Sequence, residues 1–235
     1  MSEIRFDHIA IALPRMADAP QVLAGALGGA PDSGGPSRVF RWACWRYEGG
    51  GRIEVIEPRG ENGFLHRFLA ERGSGVHHVT FRVPSLREAC DRAEAHGYRI
   101  VGYDDTHPGW ATAFLHPKQA LGIVVQLVHS VGEAARPWEV PPGPPNSPPA
   151  VTMLGLRMRA RSRERARTQW EAVLGGEPVA GAVGELLYRW PASPMRLAVE
   201  IDPARDEGPV CIEFASERAV SLPAGSLAAA FWQRP

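Results

Sequence analysis

The stretch from Gly75 to Val83 carries two adjacent histidines and then alternates between polar and apolar residues, and this period of two predicts a strand with one face in a core. The apolar face carries Val79, Phe81 and Val83. The opposite face carries His78, Thr80 and Arg82. Ser85 then has Glu88 three residues later, which is the spacing of a capping box, so a helix is predicted to begin at Ser85.

A similar strand lies 70 residues earlier and also begins with a histidine, His8. Its core-facing residues are Ile9, Ile11 and Leu13. Pro14 follows His8 by six residues, as Pro84 follows His78. A lone histidine is more often a structural or surface residue than a ligand. Two histidines at the same place in repeated strand–helix units favour a shared site.

The pattern predicts that each of the first two units runs strand, helix and three further strands. In the first unit the predicted elements are strand 4–13, helix 18–27, strands 39–47 and 52–57, and a closing helix 62–72. In the second they are strand 76–83, helix 85–96 and strands 98–103, 111–115 and 123–128. The second strand of the first unit is not evident, because residues 29–37 are rich in Gly, Pro and Ser and indicate a loop.

Residues 133–150 are rich in proline, which is excluded from helix interiors and central strands, and they are predicted to form a linker. We expect one domain of two units over 1–132. A degenerate third unit is expected over 151–235, with predicted strands 153–158, 184–190, 195–201 and 209–215 and a helix 162–174. Its histidine position holds Leu154 or Gly155, so it is expected to bind no metal and to cover or pair strands, within the chain or across a dimer.

The composition restricts the classes of partner. Lys plus Arg and Asp plus Glu each number 26, so no net charge attracts nucleic acid or a membrane surface. No stretch is apolar and long enough to span a bilayer, and the N-terminus lacks a signal-peptide pattern. The cysteines are odd in number, three, which favours a reducing compartment over a disulfide framework. We therefore expect a soluble cytoplasmic protein.

Two polar residues interrupt apolar strands at matching places. Glu54 lies within the strand over 52–57, and Gln126 lies 72 residues later within the strand over 123–128. A carboxylate in such a run is costly to bury unless it is paired or bound to a cation. A residue that lines a barrel or meets water at an edge would show the same pattern, so both interpretations stay open at this point.

Four blocks of the sequence resemble the vicinal oxygen chelate superfamily, which includes glyoxalase I, extradiol dioxygenases and methylmalonyl-CoA epimerase. The blocks are DHIAIALP, RIEVIEP, FLHRFLAERGSGVHHVTFRV and AFLHPKQALGIVVQLV, in order within residues 5–129. The likeness is closest to the epimerase-like branch. It implies an α+β fold in which paired βαβββ units form a metal-binding cup.

The resemblance further implies a metal site built from His8, Glu54, His78 and Gln126. Imidazole, carboxylate and amide donors suit Mn, Co, Fe, Ni or Zn as the divalent ion. Two coordination positions would remain for a bidentate substrate such as a 1,3-dicarbonyl compound, and the metal would stabilise its enolate. Epimerases of the family usually carry Gln where this chain has Glu54, and Glu where it has Gln126. The exchange preserves the ligand set, and Glu54 and Gln126 are the residues expected to be catalytic.

The function expected from this resemblance is a metal-dependent lyase or an isomerase or epimerase that acts through an enolate, in a homodimer. One alternative is an Fe(II) extradiol-type dioxygenase. A second is a non-catalytic binding or resistance protein. Arg82, Trp110 and Lys118 are the candidate substrate-binding residues, although each also has an ordinary structural or solvated interpretation. The nearby acids Glu48 and Glu57 are expected to be solvated.

Overall fold

The computed structural model describes residues 3–131, 140–225 and 227–234 of the chain. Over these residues the fold is mixed α+β and contains an eight-stranded and a six-stranded sheet. No helix in the described part of the chain is long and apolar enough to cross a membrane. The proline-rich segment predicted over 133–150 lies partly outside the described residues, and its described part, 140–150, has neither helix nor strand.

The first βαβββ module supplies half of the eight-stranded sheet. Its strands are β1 (Arg5–Ala12), β2 (Ala30–Pro36), β3 (Phe40–Arg46) and β4 (Arg52–Pro58). A 3₁₀ turn (Met16–Asp18) and a π-helical segment (Gln21–Ala26) stand where the helix over 18–27 was predicted. Helix α1 (Phe64–Arg72) follows the module. The strand order β2-β3-β4-β1 brings the first and last strands together in a parallel pair.

The second module repeats this arrangement. It consists of β5 (Gly75–Arg82), α2 (Leu86–Ala95), β6 (Ile100–His107), β7 (Trp110–Leu115) and β8 (Val124–Ser130). Its strand order is β5-β8-β7-β6, again with a parallel first and last strand. The predicted cap of α2 is confirmed, because the Ser85 hydroxyl accepts a hydrogen bond from the Glu88 amide at 3.3 Å.

The six-stranded sheet contains a third module and a short extension. The module comprises β9 (Thr152–Ala160), α3 (Arg163–Arg167) with a π-helical continuation (Thr168–Val173), β10 (Glu177–Val179), β11 (Glu185–Arg189) and β12 (Arg196–Ile201). The extension adds β13 (Gly208–Ala215), a 3₁₀ turn (Ala228–Ala230) and β14 (Phe231–Gln233). Strand β14 pairs in parallel with β13, so the edge at 210–214 that was expected to need a partner has one within the chain.

Three local predictions were wrong. Residues 30–36 form strand β2 rather than a loop, because pairing with β3 satisfies its backbone despite two prolines and a register shift between Pro31 and Ser33. Strand β6 extends to His107, four residues beyond the predicted end, by pairing with β7. The short strand β10, which was not predicted, exists through its pairing with β11. In each case pairing with the neighbouring strand determines the conformation.

By its internal contacts the chain divides into two compact units. One comprises residues 1–7, 78–133 and 155–210. An aromatic cluster lies at its core: Phe81 stacks on Phe6 with ring centroids 5.0 Å apart, and it contacts Trp190 at 4.9 Å and Trp170 at 6.3 Å. The apolar face predicted for the strand at Phe81 is therefore confirmed, and it packs against side chains of the third module.

The other unit comprises residues 8–77, 134–154 and 211–235. Within it, Leu65 of α1 packs in a buried cluster with Ala12 of β1 and Ile56 of β4, with partly buried apolar side chains around them. Trp45 is fully buried on β3, whereas Trp42 packs against this cluster.

Candidate metal centre

Two strand pairs place polar side chains at equivalent positions. In the first module Ala10 of β1 lies opposite Glu54 of β4, and His8 precedes Ala10 by two residues. In the second module Thr80 of β5 lies opposite Gln126 of β8, and His78 precedes Thr80 by two residues. Residues two apart on a strand share a face. Each pair therefore presents one histidine and one acid or amide side chain on the same face.

His8, Glu54 and His78 form a group that could hold a metal ion, since each offers a ligand atom within 4.8 Å of the others. His8 Nε2 lies 3.6 Å from Glu54 Oε2. Metal–ligand bonds of about 2.1 Å place ligand atoms about 3.0 to 4.2 Å apart in octahedral geometry. The separation of His8 and Glu54 falls in that interval, and the nitrogen and oxygen donors of the group suit a divalent transition metal.

The group is shielded from solvent. Glu54 and His78 are buried, and the His8 side chain is only 12% exposed. A carboxylate in such a place requires a positive or hydrogen-bonding partner, because desolvating its charge is otherwise costly. This burial removes the alternative in which Glu54 simply meets water at a sheet edge.

Gln126 is held by two threonines. Its amide oxygen accepts a hydrogen bond from the Thr80 hydroxyl at 2.8 Å, and its amide nitrogen donates to Thr112 Oγ1 at 3.2 Å. Thr80 was visible in the sequence as part of the polar face, but nothing marked Thr112, because its role depends on the pairing of β7 with β8.

In the third module the equivalent positions carry no ligand side chain. Ser85 and Ser162 each cap the helix that follows the first strand, and His78 and Gly155 each lie seven residues before that serine, so Gly155 stands at the position of His78. The strand register then places Ala198 at the position of Gln126. The two possibilities left by the sequence therefore resolve in favour of Gly155. This glycine has a φ of +136°, and an added Cβ would lie 1.8 Å from the carbonyl oxygen of Arg196. Close approach of the two strands thus excludes any side chain there.

The three candidate substrate-binding residues lie in different settings. Arg82 forms an ion pair with Asp7 at 2.9 Å and donates to the Ser130 hydroxyl, also at 2.9 Å. Trp110 begins β7 and is 44% exposed. Lys118 is exposed in the turn that follows β7.

The remaining polar candidates have structural roles or face solvent. His77 contacts the rings of Phe64 and Phe68 on α1, and burial followed by the Arg72 charge lowers its pKa to about 4. Its structural interpretation is thus supported. Glu48 is exposed as expected. Glu57 was expected to be solvated as well, but its carboxylate accepts from the Met16 amide at 2.6 Å and pairs with Arg41.

Comparison with known families assigns most of the first two modules to one group. Residues 7–114 match the model of the glyoxalase/bleomycin resistance protein/dioxygenase superfamily. Among similar sequences is an ethylmalonyl-CoA/methylmalonyl-CoA epimerase from Cereibacter sphaeroides. It is 30% identical over 133 residues, which are 52% of this chain and 96% of the epimerase.

Similar solved structures include a methylmalonyl-CoA epimerase from Mycobacterium tuberculosis. It is 26% identical with a TM-score of 0.50, and the match covers 55% of this chain and 90% of that one. A mutant of 4-hydroxymandelate synthase from Streptomyces coelicolor matches 93% of this chain and 72% of its own, with a TM-score of 0.63 and 13% identity. At that identity the second likeness concerns the fold alone, but it extends through the third module.

Proposed function

Because this chain belongs to the glyoxalase/bleomycin resistance protein/dioxygenase superfamily, we propose that it is a divalent-metal-dependent enzyme that forms an enolate-type intermediate. The reaction class is isomerase, in the sense of an epimerase, or lyase. The observation that carries the proposal is the buried group of His8, Glu54 and His78. These residues would hold the ion, with the Gln126 amide oxygen as the fourth ligand.

A bound divalent ion would supply a Lewis acid that stabilises negative charge on a substrate oxygen. Among the protein's own groups, each of the two imidazoles must present an unprotonated nitrogen, Nε2 or Nδ1, to coordinate the ion. Glu54 brings the single negative charge of the four-residue set, and Gln126 brings a neutral oxygen. The ligand set therefore leaves most of the ion's charge available to the substrate.

The substrate class follows from the relatives and from the chemistry. Named relatives include epimerases of ethylmalonyl-CoA and methylmalonyl-CoA. Such thioesters carry a carboxylate and a thioester carbonyl on one carbon, which makes the proton of that carbon acidic when both oxygens are held. We therefore propose a 2-substituted malonyl thioester or a related 1,3-dicarbonyl compound as substrate. Glu54 and His78 are both buried, and such a setting would limit the water around a substrate bound to them.

Glu54 has a second proposed role, as the acid–base group on one face of the substrate carbon. Its counterpart in the second module is Gln126, which cannot take up a proton. The first module therefore supplies the acid–base carboxylate of the proposed site. Three further residues are proposed to contact the substrate. Arg82 and Lys118 would bind the anionic groups of the substrate, and Trp110 would pack against an apolar part of it.

The test is exchange of the substrate's α-proton. Protein loaded in turn with Mn²⁺, Co²⁺, Ni²⁺, Zn²⁺ or anaerobic Fe²⁺ is incubated with 2-methylmalonyl-CoA in D₂O, and loss of the α-proton is followed by NMR. Metal-dependent exchange in the parent and none in His78→Ala supports the proposal. The exposed His96→Ala, at the end of α2, serves as a matched control and should exchange like the parent.

Other outcomes identify the rivals. Oxygen consumption with a catechol and Fe²⁺, without exchange of the α-proton, would replace the proposal with the dioxygenase. Stoichiometric binding of either compound, with neither exchange of the α-proton nor oxygen consumption, would favour a binding or resistance protein. We also propose a cytoplasmic homodimer, and sedimentation analysis of the purified protein tests the association state.

A further inference from the structure

A directed chain of hydrogen bonds crosses three neighbouring strands of the second module. Thr112 of β7 donates its hydroxyl proton to the backbone carbonyl of Leu127 at 3.2 Å. The Gln126 amide nitrogen donates to the Thr112 oxygen at 3.2 Å. Thr80 of β5 donates to the Gln126 amide oxygen at 2.8 Å. The strand order β5-β8-β7 puts Gln126 between the two threonines.

The direction of this chain follows from its last acceptor. A carbonyl oxygen can only accept, so Thr112 donates its single hydroxyl proton to the carbonyl oxygen of Leu127. The Thr112 oxygen is then an acceptor toward Gln126, and only the nitrogen end of the amide can donate to it. The oxygen end must therefore lie toward Thr80. The two ends of a glutamine amide have nearly the same shape, so this assignment depends on the polarity of the partners.

The orientation matters because the two ends differ as metal ligands. An amide oxygen has two lone pairs, so it can accept from Thr80 and still bind a cation, whereas an NH₂ group offers donors only. The oxygen end lies on the side of β5, the strand that carries His78. Thr80 is 2% exposed, so solvent has little access to the Thr80 side of this bond.

The first module provides an internal comparison. Ala10 occupies the position of Thr80 and lies opposite Glu54. A carboxylate has two equivalent oxygens and needs no neighbour to select one end. The module with the symmetric ligand thus has a methyl group at this position, and the module with the asymmetric ligand has a hydroxyl.

We propose that Thr112, together with Thr80, is a positioning residue that holds the Gln126 amide with its oxygen toward the metal-binding face and so determines metal affinity. This inference rests on the proposed metal centre. If Thr112 loses its acceptor oxygen, Gln126 can turn over, donate from its nitrogen to Thr80, and present NH₂ where a ligand oxygen is required. Residues that orient a ligand typically change metal affinity by about 10- to 100-fold when removed.

The experiment measures Co²⁺ and Mn²⁺ affinity by calorimetry for Thr112→Val and Thr112→Ser, each in the parent and in Gln126→Glu. In the parent, Thr112→Val should weaken binding by about 10-fold or more, and Thr112→Ser should bind as the parent does. In Gln126→Glu the same valine substitution should change affinity less than about twofold, because either carboxylate oxygen can coordinate. Circular dichroism checks the fold, and Thr112→Ala replaces Thr112→Val if that variant does not fold.

The failures are distinguishable. If the parent and Gln126→Ala both bind no metal, the proposed function is wrong and the inference falls with it. If the parent binds metal, Gln126→Ala weakens binding, and Thr112→Val does not, only the inference is overturned. An equal loss in both backgrounds also overturns it, since Thr112 would then act through packing rather than through the orientation of the amide.

Discussion

Ala10 and Thr80 occupy the same position in two parallel strand pairs, the first opposite Glu54 and the second opposite Gln126. The backbone therefore repeats with matching register, while the chemistry beside each candidate ligand differs. A change at Glu54 in the first module therefore has a natural counterpart at Gln126 in the second.

The two histidines should each be required for metal binding. His8→Ala and His78→Ala remove one nitrogen donor apiece from a group whose ligand atoms lie within 4.8 Å. We expect loss of stoichiometric metal, measured by elemental analysis after dialysis, with an unchanged circular dichroism spectrum. His107→Ala, on the exposed part of β6, should retain metal. Full metal content in either ligand variant would contradict the assignment of that histidine.

The carboxylate and the amide should be exchangeable between modules. Glu54→Gln makes the ligand set neutral and should weaken metal binding by about 10-fold or more, which corresponds to about 1.4 kcal/mol for each factor of ten. Gln126→Glu should bind at least as tightly as the parent. The double variant should recover much of the affinity, because it restores one negative charge. Metal affinity is measured by calorimetry for the parent, the two single variants and the double variant. Parent-like affinity in Glu54→Gln would show that Glu54 is not a ligand.

Gly155 should tolerate no side chain. Gly155→Ala combines a φ of +136° with a Cβ that would approach the Arg196 carbonyl oxygen to 1.8 Å. We expect a loss of at least about 2 kcal/mol in the free energy of unfolding, measured by urea denaturation. Gly184→Ala is the matched control for conformational strain alone, since its φ is +86° but nothing lies within 4 Å of its Cβ. Equal losses in the two variants would show that the strand contact at Gly155 relaxes.

Cys90 should make stability fall at high pH. Burial, with the charges of Glu94 and Asp91, raises the pKa of its thiol from 9.0 to about 11. Between those values the folded protein keeps a proton that the unfolded chain releases. Its contribution is therefore complete below 9.0 and declines as the pH rises toward about 11.

The measurement is urea denaturation of the parent and of Cys90→Ala at about pH 8 and about pH 10.5. The thiol is protonated in both states at the lower pH, whereas at the higher pH the folded and unfolded states differ in its protonation. The parent should lose more stability than the alanine variant between these conditions. The cavity left by the substitution affects both conditions alike, so the difference isolates the thiol. Identical pH dependence in the two proteins would refute the prediction.

Much of the fold was predictable from the chain because local signals agree with one another. The histidine-headed strands recur 70 residues apart, and a glycine (Gly28, Gly97 and Gly175) follows the main helical segment of each module. Strand β2 was not predictable, because its Gly, Pro and Ser residues indicate a loop and only the neighbouring β3 makes it a strand. The π-helical geometry at 21–26 and 168–173 likewise has no simple sequence signal.

For the site, the sequence located His8, Glu54 and His78, which the structure brings together. The repeat singled out the two histidines, and the family resemblance implied that they form a ligand set with Glu54. The hydrogen bond between Gln126 and Thr112 could not be predicted from the sequence, because Thr112 comes from a different strand and no periodic pattern singles it out. Contacts that depend on the register between strands require the paired structure.

The aromatic cluster of Phe81, Trp170 and Trp190 joins a ligand-bearing strand to a module without ligands at the equivalent positions. Phe81 and His78 lie on the same strand, so an ion bound at His78 would oppose local opening of that strand and of the side chains packed against Phe81. Metal should therefore slow amide hydrogen exchange in the segments that carry these tryptophans, the π-helical segment Thr168–Val173 and β11 with its following residue, as well as in β5. The third module would then act as a mechanical support, whose flexibility reports whether the site is filled.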